Sequence, residues 1–151
     1  MDREKHHTTV EALLLPETLI SLSLTYYENT VPAGFPSPAA DYIEGRLDLN
    51  EFLIKRPAAT FLVRFVGDSM SGAGIQSGDI GVVDRSIKAV PGCIVVASID
   101  GEMCVKRLAR RGARTILESA NELYPPIILK EEEFLAVWGV VTATIHLYRH
   151  G

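Results

Sequence analysis

The dipeptide Asp100-Gly101 separates two stretches of strand-like residues, 93–99 and 102–108. Asp-Gly between such stretches is typical of a two-residue β-hairpin, because aspartate and glycine tolerate the positive φ angles that a type I′ turn requires. A hairpin fixes which residues of the second strand face the same way. In this register Lys106 shares a face with Cys104, which predicts a position where its amine can be buried.

Short strand-like stretches dominate the chain after Pro57. They cover about residues 60–66, 79–84, 93–99, 102–108, 114–118 and 135–148. Earlier, within residues 41–54, three apolar side chains stand at helical spacing: Leu49, Phe52 and Leu53. We expect Pro57 to end this helix, because proline lacks the backbone N–H group that a helix needs. The expected fold is mainly β, with short helices on the amino-terminal side.

The composition suits one compact domain, since 47% of the 151 residues are hydrophobic and 23% are charged. A net charge of −4 argues against a general nucleic-acid binder, because binding to phosphates needs an excess of lysine and arginine. The one basic cluster, residues 106–114, is interpreted as a solvated hairpin connection around Gly112. Contact with DNA or with an acidic partner is the less favoured alternative.

Cysteine and histidine positions do not indicate a metal centre. Cys93 and Cys104 lie in separate strand-like stretches, without the close spacing of a zinc or redox pair, so both are interpreted as small buried residues. This cysteine usage fits the reducing cytoplasm. The four histidines lie near the two ends of the chain, and none is placed like a member of a triad or a metal site. No metal or other cofactor is expected.

Residues 67–70, Gly-Asp-Ser-Met, place a candidate nucleophile at the end of a strand-like stretch. Such a turn can present a hydroxyl group and backbone N–H groups that stabilise an oxyanion. The Ser69 hydroxyl needs a base, and a lysine can act as one only when burial removes its charge. Lys106 is the candidate. The alternative is a turn serine and an exposed strand lysine, and for these two residues alone it is the better interpretation.

The residues around this pair carry a wider pattern. The motifs that run in one register are Gly34-Phe-Pro-Ser-Pro-Ala-Ala-Asp-Tyr42, Leu47-Asp-Leu-Asn50, Gly67-Asp-Ser-Met70, Ser77-Gly-Asp79, Asp100-Gly-Glu102, Val105-Lys106 and Trp138-Gly-Val-Val141. Through them the chain resembles the LexA-like self-cleaving serine peptidases, and in particular their UmuD-like members. The resemblance is weak before Gly34. It implies a peptidase domain of curved, coiled β-sheets over residues 34–151, preceded by an extended, cleavable arm of residues 1–33.

The resemblance also implies the site. In this family a serine and lysine dyad cuts the protein's own arm, and Ser69 and Lys106 match the dyad. The backbone N–H groups of Asp68 and Ser69 match the oxyanion hole. The family's scissile bond joins a small residue to glycine, which here is Ala33-Gly34. Alanine departs from the cysteine more usual in UmuD-like members, although LexA-like proteins support an Ala-Gly bond. An extended segment flanked by glycine and proline has no helix to unwind.

The resemblance further implies a role in the SOS response to DNA damage. RecA assembled on single-stranded DNA is the expected trigger of cleavage. The shortened product is expected to form a homodimer and to join a UmuC-like subunit as an error-prone translesion polymerase of the DNA polymerase V type, in the cytoplasm. The alternative is a LexA-like or phage-type transcriptional regulator. We favour it less, because the residues before Ala33 are too few and too poor in basic helical pattern for a helix-turn-helix domain, so no direct sequence-specific DNA binding is expected.

The amino-terminal residues 10–24 are apolar enough to suggest a signal peptide, and Val31-Pro-Ala33 resembles a cleavage triplet. Two glutamates and a proline interrupt the apolar run, which argues against both a signal peptide and a membrane span. The favoured interpretation is an arm whose leucines pack on the folded domain or on a second subunit. Residues 23–27, Ser-Leu-Thr-Tyr-Tyr, also fit a weak sliding-clamp-binding peptide, but a buried arm is the preferred interpretation.

Overall fold

The computed structural model describes residues 9–13, 23–27, 33–34, 44–130 and 135–149. The chain divides into two compact units. One unit contains residues Met1–Leu15 and Arg56–Gly151, and the other contains Pro16–Lys55.

The larger unit is built on one antiparallel sheet, which has eight strands within the described residues. The strands are β1 (Thr9–Leu13), β4 (Thr60–Val66), β5 (Ile80–Asp84), β6 (Ile94–Ile99), β7 (Glu102–Arg111), β8 (Arg114–Glu118), β9 (Ile127–Ile128) and β10 (Leu135–Ile145). Their order across the sheet is β1-β4-β5-β10-β6-β7-β8-β9. The predicted mainly β fold is confirmed, and the strands predicted from the sequence match β4 to β8 and β10.

The predicted hairpin between β6 and β7 is also confirmed. Ile99 pairs with Glu102, so only two residues form the turn, and both have positive φ, 47° at Asp100 and 86° at Gly101. Further along the same pair of strands, Val95 lies opposite Lys106. The turn therefore sets the position of Lys106 in the sheet.

Strand β10 joins the two halves of the sheet, because it pairs with β5 on one side and β6 on the other. Its register shifts between Val137 and Gly139 in one ladder and between Val141 and Ala143 in the other. Bulges of this kind bend a strand and increase its twist. The bending fits the curved, coiled sheet that the family resemblance implied.

Apolar side chains form a core that reaches both candidate residues. The larger cluster contains the buried side chains Phe61, Val63, Phe65, Met70, Ile75, Val83, Val96 and Val105. Met70 follows Ser69 in the chain, and Val105 precedes Lys106. The core therefore anchors the serine turn and the lysine strand in one packed body.

The smaller unit differs from the sequence prediction. It contains β2 (Ser23–Tyr27) paired with β3 (Glu44–Asp48), and the helix that follows, α1, covers only Leu49–Leu53. The prediction of a helix across residues 41–54 is wrong for Glu44–Asp48. The Asp48 carboxylate accepts hydrogen bonds from the N–H groups of Asn50 and Glu51, which starts the helix at this point.

The side chains of β2 are exposed, including those of Leu24, Tyr26 and Tyr27. These side chains are therefore not buried within a single chain, and both packing on a second subunit and clamp binding stay predictions. The predicted boundary between an arm of residues 1–33 and a domain of residues 34–151 stays a prediction as well. No helix within the described ranges is both long and apolar enough to cross a membrane.

Candidate active site

Ser69 lies in the turn that follows β4. Gly67 has a φ of 106°, a left-handed conformation that residues with a side chain rarely adopt, and it turns the chain out of the strand. The Gly67 N–H group donates a hydrogen bond to Ser77 Oγ at 3.1 Å. Ser69 itself is fully buried. The turn therefore holds its hydroxyl group away from bulk water.

The peptide group between Asp68 and Ser69 is fixed through its carbonyl oxygen. The Asp68 oxygen accepts hydrogen bonds from the Ser71 N–H group at 3.1 Å and from Asn121 Nδ2 at 3.0 Å. In a planar trans peptide the N–H group points opposite to the carbonyl group. Fixing the Asp68 carbonyl therefore also fixes the direction of the Ser69 N–H group, one of the two predicted oxyanion donors.

Lys106 is fully buried in β7. Its Nζ atom donates a hydrogen bond to Ser119 Oγ at 2.6 Å. Burial lowers the pKa of Lys106 from its ordinary value, because the charged ammonium loses solvation, while interaction with Cys104 opposes this shift. The sequence analysis required a lysine that burial can make neutral, and the environment of Lys106 in the structure favours the neutral amine.

The segment after β8 connects the lysine strand with the serine turn. Tyr124 places its ring centroid 5.9 Å from Lys106 Nζ, and its hydroxyl group donates a hydrogen bond to the Asp68 carboxylate. This hydrogen bond raises the pKa of the Tyr124 phenol. The Ala120 carbonyl oxygen accepts a hydrogen bond from the Gly72 N–H group at 2.6 Å. Residues 119–124, called here the β8–β9 segment, therefore contact Lys106 and the residues on either side of Ser69.

A cleft of about 720 Å³ lies along this segment. Its lining includes Ser71, Arg107, Glu118, Ser119, Asn121 and Tyr124. These residues come from the serine turn, from β7 and β8, and from the β8–β9 segment. The cleft therefore lies next to the serine turn and next to the strand that carries Lys106.

The residues of the predicted cleavage site lie in the other compact unit. Ala33 and Gly34 are exposed and form a bend. Both lie in residues 16–55, whereas Ser69 and Lys106 lie in the larger unit. The assignment of the Ala33-Gly34 bond therefore stays a prediction.

Sequence reasoning missed three residues of this site: Ser119, Asn121 and Tyr124. Nothing in the local sequence around Tyr124 and the two prolines after it shows what this segment contacts. Sequence reasoning also missed a partner for His146. Its Nδ1 atom lies 2.5 Å from Oδ1 of the buried Asp79, whose other oxygen accepts a hydrogen bond from the Gln76 N–H group at 2.9 Å.

Cys93 is half-buried and Cys104 is buried, and both are free thiols. Burial raises the pKa of the Cys104 thiol. No group of three or more metal-ligating side chains occurs among the residues that the structure describes. Gly112 has a φ of 59° in the turn between β7 and β8, so the basic cluster of residues 106–114 does surround a hairpin connection.

The sequence of this chain is similar to those of several known proteins. A family model described as Peptidase S24-like matches residues 25–142. The protein SamA of Salmonella typhimurium is 53% identical over 118 residues, which cover 78% of this chain and 81% of SamA. ImpA of Escherichia coli is 50% identical over 123 residues, which cover 78% of this chain and 79% of ImpA. MucA of Escherichia coli is 41% identical over 124 residues, which cover 82% of this chain and 84% of MucA.

Proposed function

The chain belongs to the Peptidase S24-like family as a UmuD-like, self-cleaving serine peptidase, and from this we propose that Ser69 is its nucleophile and Lys106 its general base. The observation that carries the proposal is the burial of Lys106, which lowers the pKa of its amine. A neutral amine can accept the serine proton, whereas an ammonium group cannot. Ser69 is buried as well, and this supports its role as nucleophile, because burial shields the reacting hydroxyl group from water.

The proposed reaction has two steps. Ser69 Oγ attacks the carbonyl carbon of Ala33 and gives its proton to Lys106 Nζ. The C–N bond to Gly34 then breaks, and Lys106 returns the proton to the Gly34 nitrogen. In the second step, water attacks the ester between Ser69 and Ala33, again with Lys106 as base. The products are a free amino group at Gly34, a carboxylate at Ala33 and a regenerated serine.

We propose the backbone N–H groups of Asp68 and Ser69 as the oxyanion hole. Support comes from the two hydrogen bonds that hold the Asp68 carbonyl oxygen, since they fix the adjoining Ser69 N–H group before any substrate binds. Donors that are held in place in advance stabilise a developing charge without the cost of reorganisation.

The proposed biological role is SOS mutagenesis in the cytoplasm. RecA on single-stranded DNA would trigger cleavage of the arm, and the product of residues 34–151 would dimerise and join a UmuC-like polymerase. Support comes from SamA, ImpA and MucA, which this chain matches over most of their length. A LexA-like regulator is less supported, because residues 9–13 and 23–27 form strands where a helix-turn-helix domain would need helices.

The test is incubation of the purified chain with RecA filaments and nucleotide, and separately at mildly alkaline pH, followed by intact-mass measurement and amino-terminal sequencing. The proposal predicts a fragment that begins at Gly34. Ser69→Ala should yield no fragment, while the matched control Ser98→Ala, in β6, should cut at the normal rate. A cut elsewhere would refute the Ala33-Gly34 assignment, and cutting by Ser69→Ala would refute the nucleophile.

A further inference from the structure

The contact between Lys106 and Ser119 links the proposed base to a residue outside the predicted dyad. Nζ donates to Ser119 Oγ at 2.6 Å, and Lys106 is fully buried while Ser119 is half-buried at the wall of the cleft. We infer that Ser119 is a positioning residue, whose hydroxyl orients the Lys106 amine for proton transfer. The inference rests on the proposed function, since it assumes that Lys106 is the base.

A neutral amine has two N–H groups and one lone pair. Rotation about the last side-chain bond places the lone pair in one of three staggered positions, and only one of them faces a given neighbour. A hydrogen bond from one N–H group to Ser119 Oγ leaves the lone pair in one of the other two positions. Ser119 therefore acts as an acceptor that keeps the basic electron pair available, rather than as a group that occupies it.

The position of Ser119 in the fold suits this role. Arg107, which follows Lys106 in β7, pairs with Glu118 across the β7–β8 ladder. Ser119 comes directly after Glu118 in the chain, so it lies close to Lys106. Two residues later, Asn121 holds the Asp68 carbonyl group beside the proposed nucleophile. One short segment therefore fixes both the base and the serine turn, and a shift in it would disturb both together.

The pH dependence of cleavage distinguishes a positioning role of Ser119 from a purely structural role. The Ser119 oxygen also accepts from the charged ammonium form, and a hydrogen bond to the charged form favours that form. Loss of the hydroxyl should therefore lower the pKa of Lys106 further, so the pH at which cleavage reaches half its plateau moves down. At the same time the plateau rate should fall, by about tenfold for one hydrogen bond of ordinary strength. A serine that only fills space would leave the half-plateau pH unchanged.

The experiment compares Ser119→Thr with Ser119→Val, a pair of equal shape that differs in the hydroxyl group, and adds Ser119→Ala. Self-cleavage is measured by intact mass from neutral to alkaline pH, on protein shown to be folded by circular dichroism. We expect Ser119→Thr to keep most of the plateau rate. Ser119→Val and Ser119→Ala should lose about tenfold and shift the half-plateau pH downward.

Two controls separate this inference from the proposed function. Ser98→Ala should match the wild type, and Ser69→Ala should not cut. If Ser69→Ala cuts, the proposed function fails, and the inference fails with it. If Ser69→Ala is inactive but Ser119→Val behaves like Ser119→Thr in both plateau rate and half-plateau pH, only the positioning role of Ser119 is overturned.

Discussion

Asn121 Nδ2 donates a hydrogen bond to the Asp68 carbonyl oxygen at 3.0 Å, across 53 residues of the chain. The same side chain accepts a hydrogen bond from the Leu123 N–H group through Oδ1, also at 3.0 Å. One amide group therefore ties the serine turn to the β8–β9 segment. The contact makes the geometry at Ser69 dependent on a loop that does not carry a member of the proposed dyad.

Asn121→Asp should slow self-cleavage, because aspartate keeps the acceptor for Leu123 but loses the donor to Asp68. We expect about a tenfold loss of rate, the equivalent of one ordinary hydrogen bond. Rates are measured by intact mass beside thermal unfolding of the same samples. An unchanged rate in Asn121→Asp would show that the tether does not contribute to the oxyanion geometry.

Replacement of Lys106 by methionine should stabilise the larger unit at neutral pH. Burial holds the folded-state pKa of Lys106 below its unfolded value, so the folded state binds fewer protons between these two values. The wild type should therefore gain stability as pH rises through that window, and Lys106→Met should not. Below the folded-state pKa, Lys106→Met should be more stable than the wild type by about 1.4 kcal/mol for each unit that separates the folded-state pKa from the unfolded value. The lost hydrogen bond to Ser119 reduces this advantage by about 1 kcal/mol.

Urea unfolding of wild type and Lys106→Met at several pH values measures this difference. The predicted advantage of the variant is largest below the folded-state pKa and shrinks towards the ordinary lysine value. An advantage that grows with pH would have the wrong sign for a lysine whose pKa is lowered. Lys55→Met, at an exposed position of the smaller unit, provides the matched control for replacement of a lysine by methionine.

His146→Ala should destabilise the protein without removing its activity. The substitution leaves the buried Asp79 carboxylate without its histidine partner, at a cost of about 1 to 3 kcal/mol. Folded His146→Ala should still cut itself with the wild-type half-plateau pH, because Lys106 supplies the base. Loss of cleavage in samples that circular dichroism shows to be folded would instead give this histidine a catalytic part.

Removal of residues 1–33 should uncover the edge of β4. Strand β1 pairs with β4 over five residue pairs, from Thr9 with Val66 to Leu13 with Leu62, and Val10 packs against the larger core cluster. Backbone amides of β4 should therefore exchange with solvent faster in a 34–151 fragment than in the full chain, while those of β7 stay protected. Val10→Asp in the full chain should produce part of the same effect. Equal exchange of β4 in both proteins would contradict this role of β1.

The sequence predicted those parts of the fold that depend on local patterns. Strands β4 and β8 match the predicted ranges, and Asp100-Gly101 gave the correct hairpin, because turn chemistry and alternation are both local signals. The helix predicted within residues 41–54 forms at Leu49–Leu53 but not at Glu44–Asp48, because Asp48 caps the helix and β3 takes the residues up to Asp48 by pairing with β2. The roles of Ser119 and Asn121 could not be predicted, since their contacts depend on how distant strands come together.

The central claim, that a neutral Lys106 activates Ser69, is tested most directly by the pH dependence of spontaneous self-cleavage. The measurement is the initial rate of formation of the 34–151 fragment, by intact mass, in wild type and in Lys106→Arg. The account predicts a wild-type rate that rises with pH and levels off at a half-plateau pH below the ordinary lysine pKa of 10.5, and no fragment from Lys106→Arg, whose guanidinium stays protonated. A wild-type rate that is flat or falls with pH in folded protein, or cleavage by Lys106→Arg, would contradict it.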